Sequence, residues 1–472
     1  MIDLAHGLGL YTDRYELAMA RSYWHDGMAD KPAVYDYFFR TLPFGGGYAV
    51  FAGLGTLLEL LPQFRYDAEA IEFLRADGFD EAFLHYLRQF RFRGSLWAPT
   101  EGEPVFPLEP VVRAEGTLLE LQLIETLLLN VLNFQTLIAT KAARCVQAGQ
   151  GRVVSEFGLR RAQGLGSLWA ARAACIGGCT STSNVIAAQH YNLPAAGTMA
   201  HAFVQAYGDE LAAFRAFAEI HGSSTVLLLD TFDTVRSGLP NAITVAQEMR
   251  ARGQQLAGVR LDSGDLAYLS RKVRRGLDAA GLPEVQIVAS NQLDEYLIRS
   301  LILQDAPIDI FGVGTALATG ASDGALDGVY KLSTIDGEPR VKLSETLAKS
   351  TLPGRKNVIR YTDEAQELAA DAVVLADETA PERMIHPFEP HRQLPLAPYG
   401  GDGLLQPVMQ HGEPLAEPAP IRTLADQTHR RLAQLPPEHR RFENPHPYKV
   451  GLSPQLRALW EDQRNCEKAK VG

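Results

Sequence analysis

The segment Gly258-Val-Arg-Leu-Asp-Ser-Gly-Asp265 carries the densest potential chemistry in the chain. It sets a guanidinium near the end of an apolar run and two carboxylates around a Ser-Gly turn. Arg260 can make a bidentate contact to a carboxylate or a phosphate. Asp262 and Asp265 can contact sugar hydroxyls or hold Mg2+, which takes one or two carboxylates together with phosphate oxygens. A helix N-cap beside a local ion pair gives the same spacing, so this block does not decide alone.

Three other blocks have comparable content. Gly312-Val-Gly-Thr315 closes an apolar run, and glycines there let backbone N–H groups approach an anion while Thr315 adds a hydroxyl; a plain turn reads the same way. Ser155-Glu-Phe-Gly-Leu-Arg-Arg161 sets Phe157 three residues before Arg160, an aromatic face and a guanidinium that suit a flat, negatively charged ring. A Phe ending a strand is otherwise ordinary core. His201 follows a run of small residues in Gly197-Thr-Met-Ala-His201, where a structural histidine and a reactive one look alike.

Several common devices are missing. No Gly-Lys pair exists for a phosphate loop of the Walker type, and no His-Glu-x-x-His occurs. Gly312 to Gly320 is a poor dinucleotide fingerprint. Gly320-Ala-Ser-Asp-Gly324 matches a nucleophile elbow in spelling, which would make Ser322 a hydrolase nucleophile, but the strand before it and the helix after it are not evident. Cys175 and Cys179 lack a histidine pair at finger spacing, so reduced thiols are expected rather than a zinc site.

The elements that must position these residues alternate. Strands are expected at 152–156, 193–197, 226–230, 258–261, 286–289 and 308–312, with amphipathic helices such as 241–252 and 266–280 between them. That alternation predicts parallel βα units. Phe157, His201, Asp233, Asp262, Asn291 and Thr315 each fall just after such a strand, which favours an α/β barrel with its site at the strand ends. Residues 1–131 mix helical patterns with extended pieces at 33–39 and 48–51, joined near Gly45-Gly-Gly47. The barrel is placed at 132–361. The Pro-rich tail, 362–472, is expected to add strands to the N-terminal domain and to end in a helix around 453–464.

Composition sets outer limits. A chain of 472 residues with 46% hydrophobic and 21% charged residues fits two globular domains. The net charge of -11 argues against general nucleic-acid binding, although a local basic cluster can still take phosphorylated substrates. Four cysteines and a first ten residues without a secretory pattern lead to a cytoplasmic expectation. The apolar stretch 118–138 is interrupted by Glu120, Gln122, Glu125, Asn130 and Asn133, and reads as a buried helix.

Taken together, the blocks resemble the nicotinate phosphoribosyltransferases, of the type II phosphoribosyltransferase fold. The matching pieces are Tyr11-Thr-Asp-Arg-Tyr-Glu16, Phe39 to Tyr48 with its three glycines, Ser155 to Arg161, Gly197-Thr-Met-Ala-His201, Gly258 to Asp265, Gly312 to Thr315, Lys342-Leu-Ser344 and Val450-Gly-Leu-Ser453. They run in one order over nearly the whole chain.

The resemblance implies an irregular α/β barrel beside an α+β sandwich domain drawn from both chain ends, acting as a homodimer. It implies phosphoribosyl transfer to nicotinate with ATP as co-substrate and Mg2+ present. His201 would carry a transient phosphate, and Asp262 would be the second catalytic residue. Tyr11, Phe157, Thr198 and Arg260 would meet nicotinate, Tyr11 from the neighbouring subunit. Arg160, Asp265, Gly312, Gly314 and Thr315 would meet phosphoribosyl pyrophosphate. Related nicotinamide-using enzymes carry an Asp after the matching Gly-Thr pair; Met199 stands here, which favours the acid. Nicotinamide or quinolinate as substrate, a Ser322 hydrolase and a non-catalytic metabolite sensor are the competing readings.

Overall fold

The computed structural model describes residues 7–343 and 350–471. Two compact units make up the chain, one of Met1–Leu137 with Ala325–Gly472 and the other of Ile138–Gly324.

The central unit is built on six parallel strands. In spatial order they are Ser181–Thr182, Val153–Glu156, Ile310–Val313, Gln286–Ser290, Gly258–Leu261 and Val226–Leu228. Val259, Leu261, Ile287, Ala289, Phe311 and Val313 are buried, as strands covered on both faces require. The two end strands do not pair with each other among the described residues, so the sheet is a curled half-barrel. Helices return the chain between strands at Leu239–Ala251, Leu266–Ala279 and Glu295–Leu303. Asp265 and Asp294 cap the latter two by accepting from the N–H groups of Tyr268 and Leu297. Behind the sheet, buried Glu295 takes Lys141 at 2.6 Å and Arg144 at 2.9 Å.

Five of the six expected strands form, within two residues of their expected limits. The one expected at 193–197 does not. Only an isolated bridge, Thr182 to Ala195, is present there, because Pro194 has no N–H to continue a ladder. A two-residue strand at Ser181–Thr182 takes the place beside Val153–Glu156 instead.

The other unit draws on both ends of the sequence. One sheet orders Glu338–Pro339, Gly328–Ile335, Pro32–Phe39, Val112–Thr117, Ser95–Ala98, Gln406–Gln410 and Glu413–Pro414. A second sheet runs from Gln393–Pro395 through Leu368–Leu375 and Lys356–Thr362 to Gly400–Gly403, and Lys356–Thr362, placed by sequence at the end of the barrel, belongs to it instead. The tail thus adds one hairpin to the N-terminal sheet and supplies the other strands of the second sheet. The division after Gly324 falls earlier than the sequence-based limit at 361, since Gly328–Ile335 pairs antiparallel with Pro32–Phe39. The stretch 118–138 forms two helices, Leu118–Leu123 with a Thr117–Glu120 capping box, and the start of Glu125–Ala148. Among the described residues no helix is long and apolar enough to cross a membrane. Cys145, Cys175 and Cys179 are buried and free; Cys466 is exposed and free.

Candidate active site

Arg260 lies within the strand Gly258–Leu261, and its Nη1 donates to Thr198 Oγ1 at 2.6 Å, a residue 62 positions earlier. Its Nε is buried with no hydrogen-bond partner. Burial lowers the guanidinium pKa, against the opposing pull of Asp262 and Asp230, and the charge of Arg160 acts in the same direction as burial. A half-buried cation with unused donor capacity is a receptor for an anion. Arg160 itself is exposed.

His201 opens the helix His201–Tyr207. Its Nδ1 is 3.1 Å from Thr231 Oγ1, and its Nε2 is 3.9 Å from Asp262 Oδ2. Asp262 is fixed in turn: its Oδ1 accepts from Ser290 Oγ at 2.5 Å and its N–H donates to Asp230 Oδ2 at 2.9 Å. Ser263 Oγ donates to the same Asp230 oxygen at 2.5 Å, leaving Asp230 Oδ1 buried and without a partner. Three strand ends and the turn leading into His201–Tyr207 therefore converge on one constellation of Thr198, His201, Arg260 and Asp262.

Phe157 follows another strand of the same sheet, Val153–Glu156. Its N–H donates to Val313 O at 2.7 Å, and its ring lies over Gly312. A Cβ on Gly312 would stand 2.6 Å from two ring carbons, and one on Gly314 would stand 3.1 Å from Phe157 O. Gly312 is thus needed to seat the Phe157 ring, and Gly314 lets the Phe157 carbonyl lie close, whatever they offer a phosphate. Glu156, absent from the sequence-based candidates, holds this turn. Its carboxylate accepts from Gly158 N–H and, at 2.6 Å, from Thr182 Oγ1, and burial raises its pKa against those two bonds.

The remaining candidates are placed as follows. Thr315 is exposed at the start of a four-residue helix, Thr315–Ala318. Asp265 is exposed and caps its helix, and Asp233 does the same for Thr234–Gly238. Asn291 has φ 84 and Gln292 φ 50, left-handed backbone just past a strand end. Met199 is buried, 5% exposed. Tyr11 belongs to the other unit, where its hydroxyl donates to Asn130 Oδ1 at 2.7 Å. Ser322 lies between the helix Thr315–Ala318 and the strand Gly328–Ile335, not on a strand-to-helix elbow. Of the Lys342 block, Ser344 lies outside the described residues.

No group of three or more His, Cys, Asp or Glu suited to a metal ion occurs among the described residues. Asp230 and Asp262, joined through one backbone N–H, do fit Mg2+ of the kind that is completed by substrate phosphates and water, and the unpartnered Asp230 Oδ1 supplies a free ligand.

Sequence reasoning also missed Thr231, Asp230 and Ser290, although each sits at a strand end, which was the usable signal.

Three family models match: the nicotinate phosphoribosyltransferase N-terminal domain at residues 10–133, the nicotinate phosphoribosyltransferase family at 153–376 and the nicotinate phosphoribosyltransferase C-terminal domain at 355–460. A nicotinate phosphoribosyltransferase of Bacillus subtilis (strain 168) is 43% identical over 94% of this chain and 93% of its own length. One from Dictyostelium discoideum is 35% identical over 98% and 90%. The crystal structure of human nicotinic acid phosphoribosyltransferase superposes with a TM-score of 0.85 at 32% identity, covering 96% of this chain and 99% of that one. On this agreement in sequence, fold and length, the chain belongs to the nicotinate phosphoribosyltransferase family.

Proposed function

We propose that the chain transfers phosphoribose from phosphoribosyl pyrophosphate to nicotinate, giving nicotinate mononucleotide and pyrophosphate, with ATP hydrolysis coupled through a transient phosphohistidine at His201. The observation that carries this reading is the half-buried Arg260–Thr198 pair opening beside His201 and Asp262. Arg260 and Thr198 offer a planar fork and a hydroxyl to the nicotinate carboxylate. Phe157 offers its face to the pyridine ring.

In the transfer, the C1–O bond to pyrophosphate breaks as the pyridine nitrogen gives its lone pair to C1. That nitrogen carries no proton, so no general base is needed. Positioning and charge therefore do the work, which suits a site of fixed hydrogen bonds rather than one of mobile acids. Mg2+, held by Asp230 and Asp262, would neutralise charge on the departing pyrophosphate. Arg160, Asp265, Gly312, Gly314 and Thr315 would line the phosphate end.

The phosphorylation step uses the His201 geometry. With Nδ1 protonated and donating to Thr231, Nε2 presents a lone pair to the γ-phosphorus of ATP. The N–P bond forms as the bond to ADP breaks, and water later releases phosphate. Met199 in place of an acid removes a charge that would repel nicotinate. A homodimer in which Tyr11 serves the neighbouring site completes the reading. The decisive assay is product formation from nicotinate and from nicotinamide, each with and without ATP. Nicotinate mononucleotide and pyrophosphate should appear in equal amounts, faster with ATP; no product from nicotinate under either condition would refute it.

A further inference from the structure

Another buried carboxyl group lies in the unit drawn from both chain ends. Glu16 is 0% exposed on the helix Arg14–His25. Its Oε2 accepts from Thr12 Oγ1 at 2.6 Å and its Oε1 from Thr126 Oγ1 at 2.5 Å. Thr126 also receives Asp13 N–H at 3.1 Å and stands 3.3 Å from Asp13 Oδ2. One helical turn further along Glu125–Ala148, Asn130 receives the Tyr11 hydroxyl. The segment 11–13 is thus pinned to one helix at two points, and Glu16 is the buried group that gathers both hydroxyls.

Burial of an acid at this place has a cost that an amide would avoid. Its pKa is raised to about 7, because desolvation and, to a smaller degree, the nearby charge of Glu125 outweigh the downward pull of the Thr12 and Thr126 hydroxyls. Asp13 and Tyr15 face it from its own end of the helix, and the phenols of Tyr66 and Tyr330 feel its charge from other elements. Lys331 pairs with Glu125 at 3.3 Å rather than with Glu16.

We propose that Glu16 is a positioning residue for nicotinate: through Thr12 and Thr126 its carboxyl group sets the path of the Tyr11–Asp13 segment and so the placement of the Tyr11 ring. This rests on the reading above in which Tyr11 lies against the pyridine. When Glu16 is ionised, both threonine hydroxyls donate to it, and Thr12 is tied down. When it is protonated it donates to Thr126, whose own proton then turns to Asp13 Oδ2. The two states hold the segment by different bonds. Their exchange falls near neutral pH, because burial disfavours the charged form and Lys331 pairs with Glu125 instead of stabilising it.

The test is steady-state kinetics of the full-length wild type, Glu16→Gln, Thr12→Val and Tyr11→Ala, from about pH 5.5 to about pH 9. Tyr11→Ala should raise the nicotinate KM at every pH. Glutamine cannot ionise, so the ratio of nicotinate KM between Glu16→Gln and wild type should change by about 3- to 10-fold across an inflection near pH 7, with kcat and the phosphoribosyl pyrophosphate KM moving together in both proteins. Titration of the substrate phosphates is common to both and cancels in the ratio. Thr12→Val should raise the nicotinate KM on the alkaline side only, and it tests the same role if Glu16→Gln does not fold. With Tyr11→Ala impaired, a ratio that is flat with pH, or a change confined to melting temperature, overturns the role of Glu16 alone. An unimpaired Tyr11→Ala overturns the Tyr11 reading and this proposal with it.

Discussion

Gly312→Ala displaces the Phe157 ring without changing that residue. Gly312 lies in extended strand, paired with Ser155 on one side and Ser290 on the other, so alanine suits its backbone. The added methyl would meet Phe157 Cδ2 and Cε2 at 2.6 Å, far inside the ~3.5–4.0 Å that non-bonded carbons keep. The ring must move by about 1 Å. Overpacking costs about 1–3 kcal/mol where neighbours cannot yield, and Phe157 is only part buried, so the stability loss should lie near the lower end. The displaced ring loses its stacking on nicotinate, about 0.5–1.5 kcal/mol. At about 1.4 kcal/mol per tenfold, the nicotinate KM should rise by roughly 2- to 12-fold. The kcat should hold, because nothing at C1 has changed. The assay is steady-state kinetics with nicotinate varied at saturating phosphoribosyl pyrophosphate and ATP, together with a thermal melt. Phe157→Leu supplies the control. Once the ring is gone, adding Gly312→Ala should cost nothing further, a coupling that a double-mutant cycle reads directly. An unchanged nicotinate KM in Gly312→Ala, or fully additive losses in the double variant, would refute the reasoning.

His201→Ala should abolish ATP hydrolysis and ATP stimulation while leaving a slow ATP-independent transfer. Wild-type protein incubated with γ-labelled ATP should carry an acid-labile, base-stable label, and the same label on the variant would contradict the phosphohistidine. The wild type should prefer nicotinate to nicotinamide by at least ~10-fold in kcat/KM, and Arg260→Lys should erode that preference because an ammonium cannot span Thr198 and a carboxylate with one planar fork. Equal use of both substrates by the wild type would count against Arg260 as the carboxylate receptor. Glu295→Ala removes the carboxylate that the buried charges of Lys141 and Arg144 share, so denaturant unfolding should show a loss of about 3–5 kcal/mol. A loss under ~1 kcal/mol would mean that the ion cluster relaxes freely.

The legible parts of the fold were those with local causes. The strand Gly258–Leu261 was read at its observed limits because a glycine precedes its apolar run and a Ser-Gly turn follows it. The strand expected at 193–197 failed on a local cause too, Pro194, which outweighed the apolar pattern around it. What sequence could not show were relations between distant residues. The run 328–335 falls inside the range placed in the barrel, and only its pairing with Pro32–Phe39 assigns it to the other unit. Phe157, Thr198, His201, Arg260 and Asp262 were visible as residues at strand ends, yet the bond between Thr198 and Arg260 is not a matter of spacing. Glu156 escaped notice because one of its two partners is a backbone N–H and the other sits in a two-residue polar strand with no alternation to announce it.

The pairing of Pro32–Phe39 with Gly328–Ile335 also has a consequence for the order of events during synthesis. Ala33 lies opposite Ile335, 302 residues later. At ~5–20 residues per second, roughly 15–60 s pass between the making of the two partners. One edge of Pro32–Phe39 can be covered early, by Val112–Thr117, but the other has no partner until the whole of Ile138–Gly324 has emerged. The central unit, whose strands all come from one continuous stretch, can close in that interval. A nascent chain therefore carries an open antiparallel edge of eight residues throughout the time its barrel is being made. That edge is where premature pairing with another nascent copy would begin.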